Sequence, residues 1–136
     1  SLKSGQPAHH RLTLHDLLVT NHLCNSSVLL DLTLLHQIDG LPVSYAVRGI
    51  EDYAAWLRIA TFVDWEMADT PLVVYNDDPL QSMRGTNHFS VPEGVLALWD
   101  FVAWLRERGR AIPLPIQAIM RGGNRALLEW ASRQRL

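Results

Sequence analysis

Thr70-Pro71-Leu72-Val73-Val74-Tyr75-Asn76-Asp77-Asp78-Pro79 is the stretch on which the fold assignment turns. An apolar run, with two valines at its centre, follows a proline and stops abruptly at an amide and two carboxylates. Short apolar runs bounded by turn residues suit strands buried on both faces, and in parallel sheets such strands are covered by helices. The stretch therefore predicts a central strand over 71–76 that delivers polar groups to one edge of a sheet.

The flanking sequence extends that reading. Upstream, Pro42-Val43-Ser44-Tyr45-Ala46-Val47 predicts a short strand over 42–47 and Arg48-Gly49 a turn. Tyr53, Trp56, Leu57, Ala60, Val63 and Met67 then recur at three- and four-residue steps, which predicts a helix over 50–67. Downstream, Ser90-Val91-Pro92-Glu93 has the form of a capping box, with Ser90 as N-cap and Glu93 at the third helical position. Val95, Leu98, Trp99, Val102 and Leu105 supply the buried stripe of the helix that follows, and Gly109 its stop. Residues 111–116 are apolar with two prolines, which fits an edge strand or an irregular segment. A last helix carries Ala126, Leu127, Trp130 and Ala131. The expected order over 41–136 is βαβαβα: a small three-layer α/β domain with a short parallel sheet (42–47, 71–76, 111–116) covered by helices. Trp56, Trp99, Trp104 and Trp130 are expected to pack in its core.

The N-terminal third is expected to be a helical extension over 12–40, behind a loose polar leader over 1–11. Thr13 suits an N-cap, with Asp16 where Glu or Gln would complete a capping box, and Leu14, Leu17 and Leu18 predict a helix to about residue 23. Residues 28–38 fit either a strand or a helix that Ser27 caps and Gly40 ends; length and leucine content favour the helix.

At 136 residues and 48% hydrophobic, the chain can bury a core without disulfides or metal, and one domain over 12–136 is expected. The lone Cys24 cannot form an intramolecular bridge, so it is expected to be a small buried residue in a reducing compartment. No apolar run approaches the roughly 18 residues of a membrane span, so the expectation is a cytoplasmic protein without a membrane partner. The net charge of −2 argues against nucleic-acid binding through bulk charge. Its distribution is uneven, however: residues 1–105 carry 12 acidic and 5 basic side chains, whereas residues 106–136 carry 7 arginines against Glu107 and Glu129. Such asymmetry suits a partner surface, although arginines also decorate solvated helix faces and C-terminal ends.

Ligands of open parallel sheets bind beyond the carboxyl ends of the strands. Applied here, that rule gathers Arg48, Asn76, Asp77, Asp78, Gln117 and the run Arg121-Gly122-Gly123-Asn124-Arg125 on one rim. Asp77 and Asp78 offer the hard oxygen ligands that Mg²⁺ takes, provided the backbone turns between them; turn chemistry around Pro79 is the plainer account. Gly122-Gly123-Asn124 ahead of a helix resembles an anion-binding nest, or more plainly a turn with Asn124 as N-cap. Arg84 and His88 lie in a long loop from which either could close over a ligand. A metal site from His15, His22 and His36 would need one helix continuing through Asn25-Ser26-Ser27, which is not expected. No Gly-x-Ser-x-Gly elbow is present, and His22 beside Cys24 in sequence does not make a dyad.

The favoured function is a non-enzymatic binding or adaptor module. Its arginine-rich end and sheet rim would meet an acidic protein, a phosphate-bearing ligand or nucleic acid. The alternative is a Mg²⁺-dependent phosphate-ester hydrolase. There Asp77 and Asp78 would be the ligands, Arg48, Arg84 or Arg121 the phosphate clamps and His88 an acid or base. The enzyme requires several weak signals to hold together. A helix-turn-helix over 13–39 would lack arginine and lysine altogether.

Overall fold

The expected parallel sheet is replaced by a two-stranded antiparallel one flanked by helices. The computed structural model describes residues 10–68, 70, 71, 73, 74 and 91–134. Its elements are β1 (His10–Leu12), α1 (Leu14–Val19), α2 (Leu32–Gln37), α3 (Glu51–Ile59), β2 (Trp65–Met67), α4 (Glu93–Glu107), α5 (Leu114–Arg121) and α6 (Gly123–Ser132). Short 3-10 turns occur at Asn25–Ser27 and Tyr45–Val47. β1 pairs with β2 so that His10 faces Met67, Arg11 faces Glu66 and Leu12 faces Trp65.

Among the described residues none of the three predicted strands forms, each for its own reason. Within 42–47, the Ser44 hydroxyl accepts the Ala46 amide at 3.3 Å and turns the chain into the 3-10 segment. That leaves Val43 96% exposed. Of 71–76, the described residues Pro71, Val73 and Val74 lie in no strand, and Val74 is 98% exposed rather than buried on both faces. Within 111–116, Pro113 is the N-cap of α5 and Pro115 sits in its first turn, where a missing N–H removes no helical hydrogen bond. The prolines thus start a helix; they do not mark a sheet edge.

The predicted helix over 50–67 stops at Ile59. Thr61 turns its hydroxyl back to the Arg58 carbonyl at 2.7 Å, and the Arg110 guanidinium takes the Thr61 carbonyl at 3.1 Å. The chain then leaves the helix for β2. The first helix is shorter than expected, yet its cap forms as read: the Thr13 amide donates to Asp16 at 2.8 Å and the Asp16 amide donates back to Thr13 at 3.3 Å. Residues 28–38 do contain a helix, but Asp31, not Ser27, caps it, accepting the Thr33 amide at 2.8 Å. α4 begins two residues later than the sequence pattern suggested, with Pro92 as N-cap and Glu93 as first helical residue; Ser90 lies outside the described residues.

The core lies chiefly between α3 and α4. Tyr53, Ala54, Trp56, Leu57 and Ile59 of α3 are buried with Val95, Leu98, Phe101, Val102, Trp104 and Leu105 of α4. Each such large side chain contributes on the order of 1.5–3 kcal/mol by leaving water. Between these helices the nearly buried Arg58 and Asp100 pair at 2.7 Å. α6 crosses α4 closely because Gly94 has no side chain: a Cβ there would stand 3.2 Å from the Ala131 Cα.

α1 has six residues, too few to persist alone. Its last carbonyls have no helical partners. They are satisfied from far along the chain. Tyr53 donates to the Leu17 carbonyl at 2.9 Å, and Trp130 Nε1 to the Leu18 carbonyl at 2.6 Å. Gln134 Nε2 lies 3.2 Å from both the Leu18 and Val19 carbonyls. The C-terminal residues thereby clasp the first helix. Among the described residues, no helix is long and apolar enough to cross a membrane.

Candidate functional site

α4 presents two stripes. Val95, Leu98, Val102 and Leu105 face the core, while Trp99, Ala103 and Arg106 occupy the adjoining face at helical spacing. Trp99 was expected in the core. It is 54% exposed, because one residue beyond Leu98 on a helix is a turn of about 100° away from the buried line.

The opposite wall is the α5–α6 pair. Gly122 and Gly123 break what would otherwise be one helix, and Gly123 takes φ +71, in the left-handed region that glycine enters without strain. The break sets Met120, Gly123, Asn124 and Leu127 across from Leu98, Trp99, Val102, Ala103 and Arg106. Between them is an open groove of about 390 Å³. Its floor is apolar, and Arg106 is the charged residue of its lining, with the Asn124 amide opposite.

The other described arginines of the C-terminal region are largely committed. Arg108 pairs with Asp39 at 2.6 Å and lies 4.8 Å from the Trp104 ring centre. Arg110 sits 4.6 Å over Phe62 while holding Thr61. Arg125 pairs with Glu129 at 3.0 Å. Arg121 donates to Gln117 at 3.3 Å, and Arg133 to the Glu129 carbonyl at 3.2 Å. Arg106 is exposed and has no ion-pair partner among the described residues. Among the described arginines of the C-terminal region, Arg106 is thus the one beside the apolar groove that has no ion-pair partner.

Among the described residues there is no parallel sheet to organise the rim expected from the sequence. Arg48 ends the second 3-10 turn, exposed and away from the groove lining. Gln117 is occupied within the fold, where its Nε2 donates to the Ile112 carbonyl at 2.7 Å and ties the lead-in of α5 to the helix itself. Gly122, Gly123 and Asn124 do come together, as the joint between α5 and α6, and the last two line the groove. Gly122 itself is both the C-cap of α5 and the N-cap of α6, so Asn124 is not the cap. Asn76, Asp77, Asp78, Arg84 and His88 lie outside the described residues, and with them the expected Mg²⁺ ligands. Among the described residues no cluster of three or more His, Cys, Asp or Glu side chains could hold a metal ion, so His15, His22 and His36 do not form one. Cys24 is partly exposed, not buried.

The chain matches no protein-family model, no curated protein and no solved structure.

Proposed function

We propose that the protein is a non-enzymatic binding module that docks an acidic, amphipathic helical segment of a partner protein in the groove between α4 and α5–α6. The observation that carries this reading is the pairing of a half-exposed Trp99 with an unpaired Arg106 along one apolar trough. Tryptophan and arginine are the side chains that most often dominate binding energy, and a groove between helices accepts a third helix by ordinary ridge-and-groove packing. Apolar anchors at helical spacing would cover Trp99, Met120 and Leu127, and a glutamate or aspartate on the flank would pair with Arg106. No carboxylate among the described residues lines the groove to oppose such a partner.

The test uses synthetic amphipathic helices with leucines at i, i+3 and i+7, flanked by glutamates in one peptide and by lysines in the other. Two-dimensional NMR of the protein should show shifts at Trp99, Ala103, Asn124 and Leu127 with the glutamate peptide, weakening as salt is raised. Arg106→Glu should reverse the preference between the two peptides. Equal binding of both, or shifts centred elsewhere, would count against the proposal. The hydrolase alternative rests on Asp77, Asp78 and His88, which lie outside the described residues.

A further inference from the structure

A second open hollow, of about 190 Å³, lies where α1 meets α5 and α6, with the His15 and Arg133 side chains exposed to solvent. Leu18, Ile119, Pro115 and Trp130 make its walls apolar, and its polar lining residues are His15 and Arg133. Both offer N–H donors, and the Arg133 guanidinium presents them in a planar fork. Among the described residues the neighbouring carboxylates have other partners, although the charge of Asp16 also acts on His15. Asp16, next to His15 in α1, is held by the Thr13 amide at 2.8 Å and hydroxyl at 2.9 Å. Glu129, one turn before Arg133 in α6, gives its carboxylate to Arg125 at 3.0 Å. Arg133 uses Nε on the Glu129 carbonyl at 3.2 Å, which leaves its two terminal nitrogens uncommitted among the described residues.

An apolar hollow with a guanidinium and an imidazole as its polar lining selects one ligand chemistry. The guanidinium fork matches a carboxylate in two parallel hydrogen bonds, while the aliphatic and indole walls take a hydrocarbon body. We infer that this cavity binds a small aliphatic monocarboxylate, with its carboxylate on Arg133 and His15 and its chain against Leu18, Ile119 and Trp130. The same chemistry is offered by a free short-chain acid and by the C-terminal leucine of a peptide. The site is separate from the α4 groove, so it stands or falls independently of the peptide-docking reading.

Binding here would also strengthen the clasp between the two ends of the chain. Trp130, which lines the cavity, is the residue whose indole N–H holds the Leu18 carbonyl at 2.6 Å. A ligand spanning α1, α5 and α6 would stabilise the folded state increasingly as its occupancy rises.

The experiment titrates the protein with hexanoate, N-acetyl-leucine, hexanol and hexylamine, following thermal unfolding and the Trp130 indole N–H resonance. Hexanoate or N-acetyl-leucine should raise the melting temperature and move the Trp130 signal, leaving Trp99 in place. Whichever carboxylate binds more tightly identifies the source, free acid or peptide terminus. Hexanol and hexylamine should bind at least tenfold more weakly. Arg133→Met should weaken the carboxylate at least tenfold, and Ile119→Trp, which fills the hollow, should abolish binding. No response to either carboxylate in the unaltered protein, or a response equal to that of hexylamine, overturns the assignment without recourse to any variant.

Discussion

Removing one oxygen atom tests the clasp on α1. Tyr53 is fully buried in α3, and its hydroxyl donates to the Leu17 carbonyl at 2.9 Å, with the Gln134 side-chain oxygen at 3.1 Å as a competing acceptor. Tyr53→Phe keeps the ring and its packing and deletes that donor. The net loss of one hydrogen bond is about 1 kcal/mol, and leaving the buried carbonyl unpaired brings the total to about 1–2 kcal/mol. For a chain of this size that lowers the melting temperature by roughly 3–8 °C. The pH dependence adds a sharper signature. Burial pushes the Tyr53 phenol above its ordinary value. Below about pH 10 the phenol is neutral in both folded and unfolded chains and contributes nothing. Above it, the unfolded chain releases the proton while the folded one retains it, so the unaltered protein loses about 1.4 kcal/mol per pH unit. Tyr53→Phe lacks this loss. Urea unfolding from pH 7 to 11 should therefore show the two proteins converging above pH 10 and becoming equal roughly one unit higher. The remaining titrating groups are common to both and cancel. A gap that stays constant to pH 11, or a variant as stable as its parent at pH 7, would refute the account of the clasp.

Asp100→Ala should cost roughly 3–5 kcal/mol in urea unfolding, because it leaves Arg58 charged and nearly buried between α3 and α4. Glu129→Ala, which breaks the exposed pair with Arg125, should cost less than about 1 kcal/mol by the same assay. Gly122→Ala would drive a methyl into the Ala126 side chain at the α5–α6 joint, and should destabilise by roughly 1–3 kcal/mol while altering the NMR signals of the groove residues Met120 and Asn124. Thr13→Ala should cost about 1 kcal/mol through the lost cap. The Thr13 amide and hydroxyl hold the Asp16 carboxyl below the usual carboxylate range. The stability this contributes is present above that range and lost as pH falls through the folded value. Acid unfolding of Thr13→Ala, followed by circular dichroism, should therefore be the less steep of the two.

What could be read from sequence was what is local. The reciprocal bonds of Thr13 and Asp16, the core stripe of α4 and the glycine stops at Gly40 and Gly109, both with positive φ, are written within a few residues of one another. The sheet is not. Its strands have three residues each and pair His10 with Met67 across most of the first half of the chain, so neither carries enough alternation to announce itself. β2 was further disguised because Met67 continues the helical spacing of α3; the departure is made by Thr61 and Arg110, whose meeting no local pattern encodes. Val73 and Val74 had the composition of a central strand but not the burial, since composition states what a segment tolerates and only the rest of the molecule supplies a neighbour. The same limit governs the site. Seven arginines in the last part of the chain were legible as charge, yet charge does not say which of them is free. Arg108 and Arg110 are folded onto Trp104 and Phe62, so a partner's acids would compete with ring contacts and internal hydrogen bonds to reach them. Arg106 requires no such exchange. If the groove is the binding surface, Arg106→Glu should lose the acidic peptide with unfolding unchanged, whereas Arg110→Glu should lower stability first, through Thr61 and Phe62, and affect the peptide little.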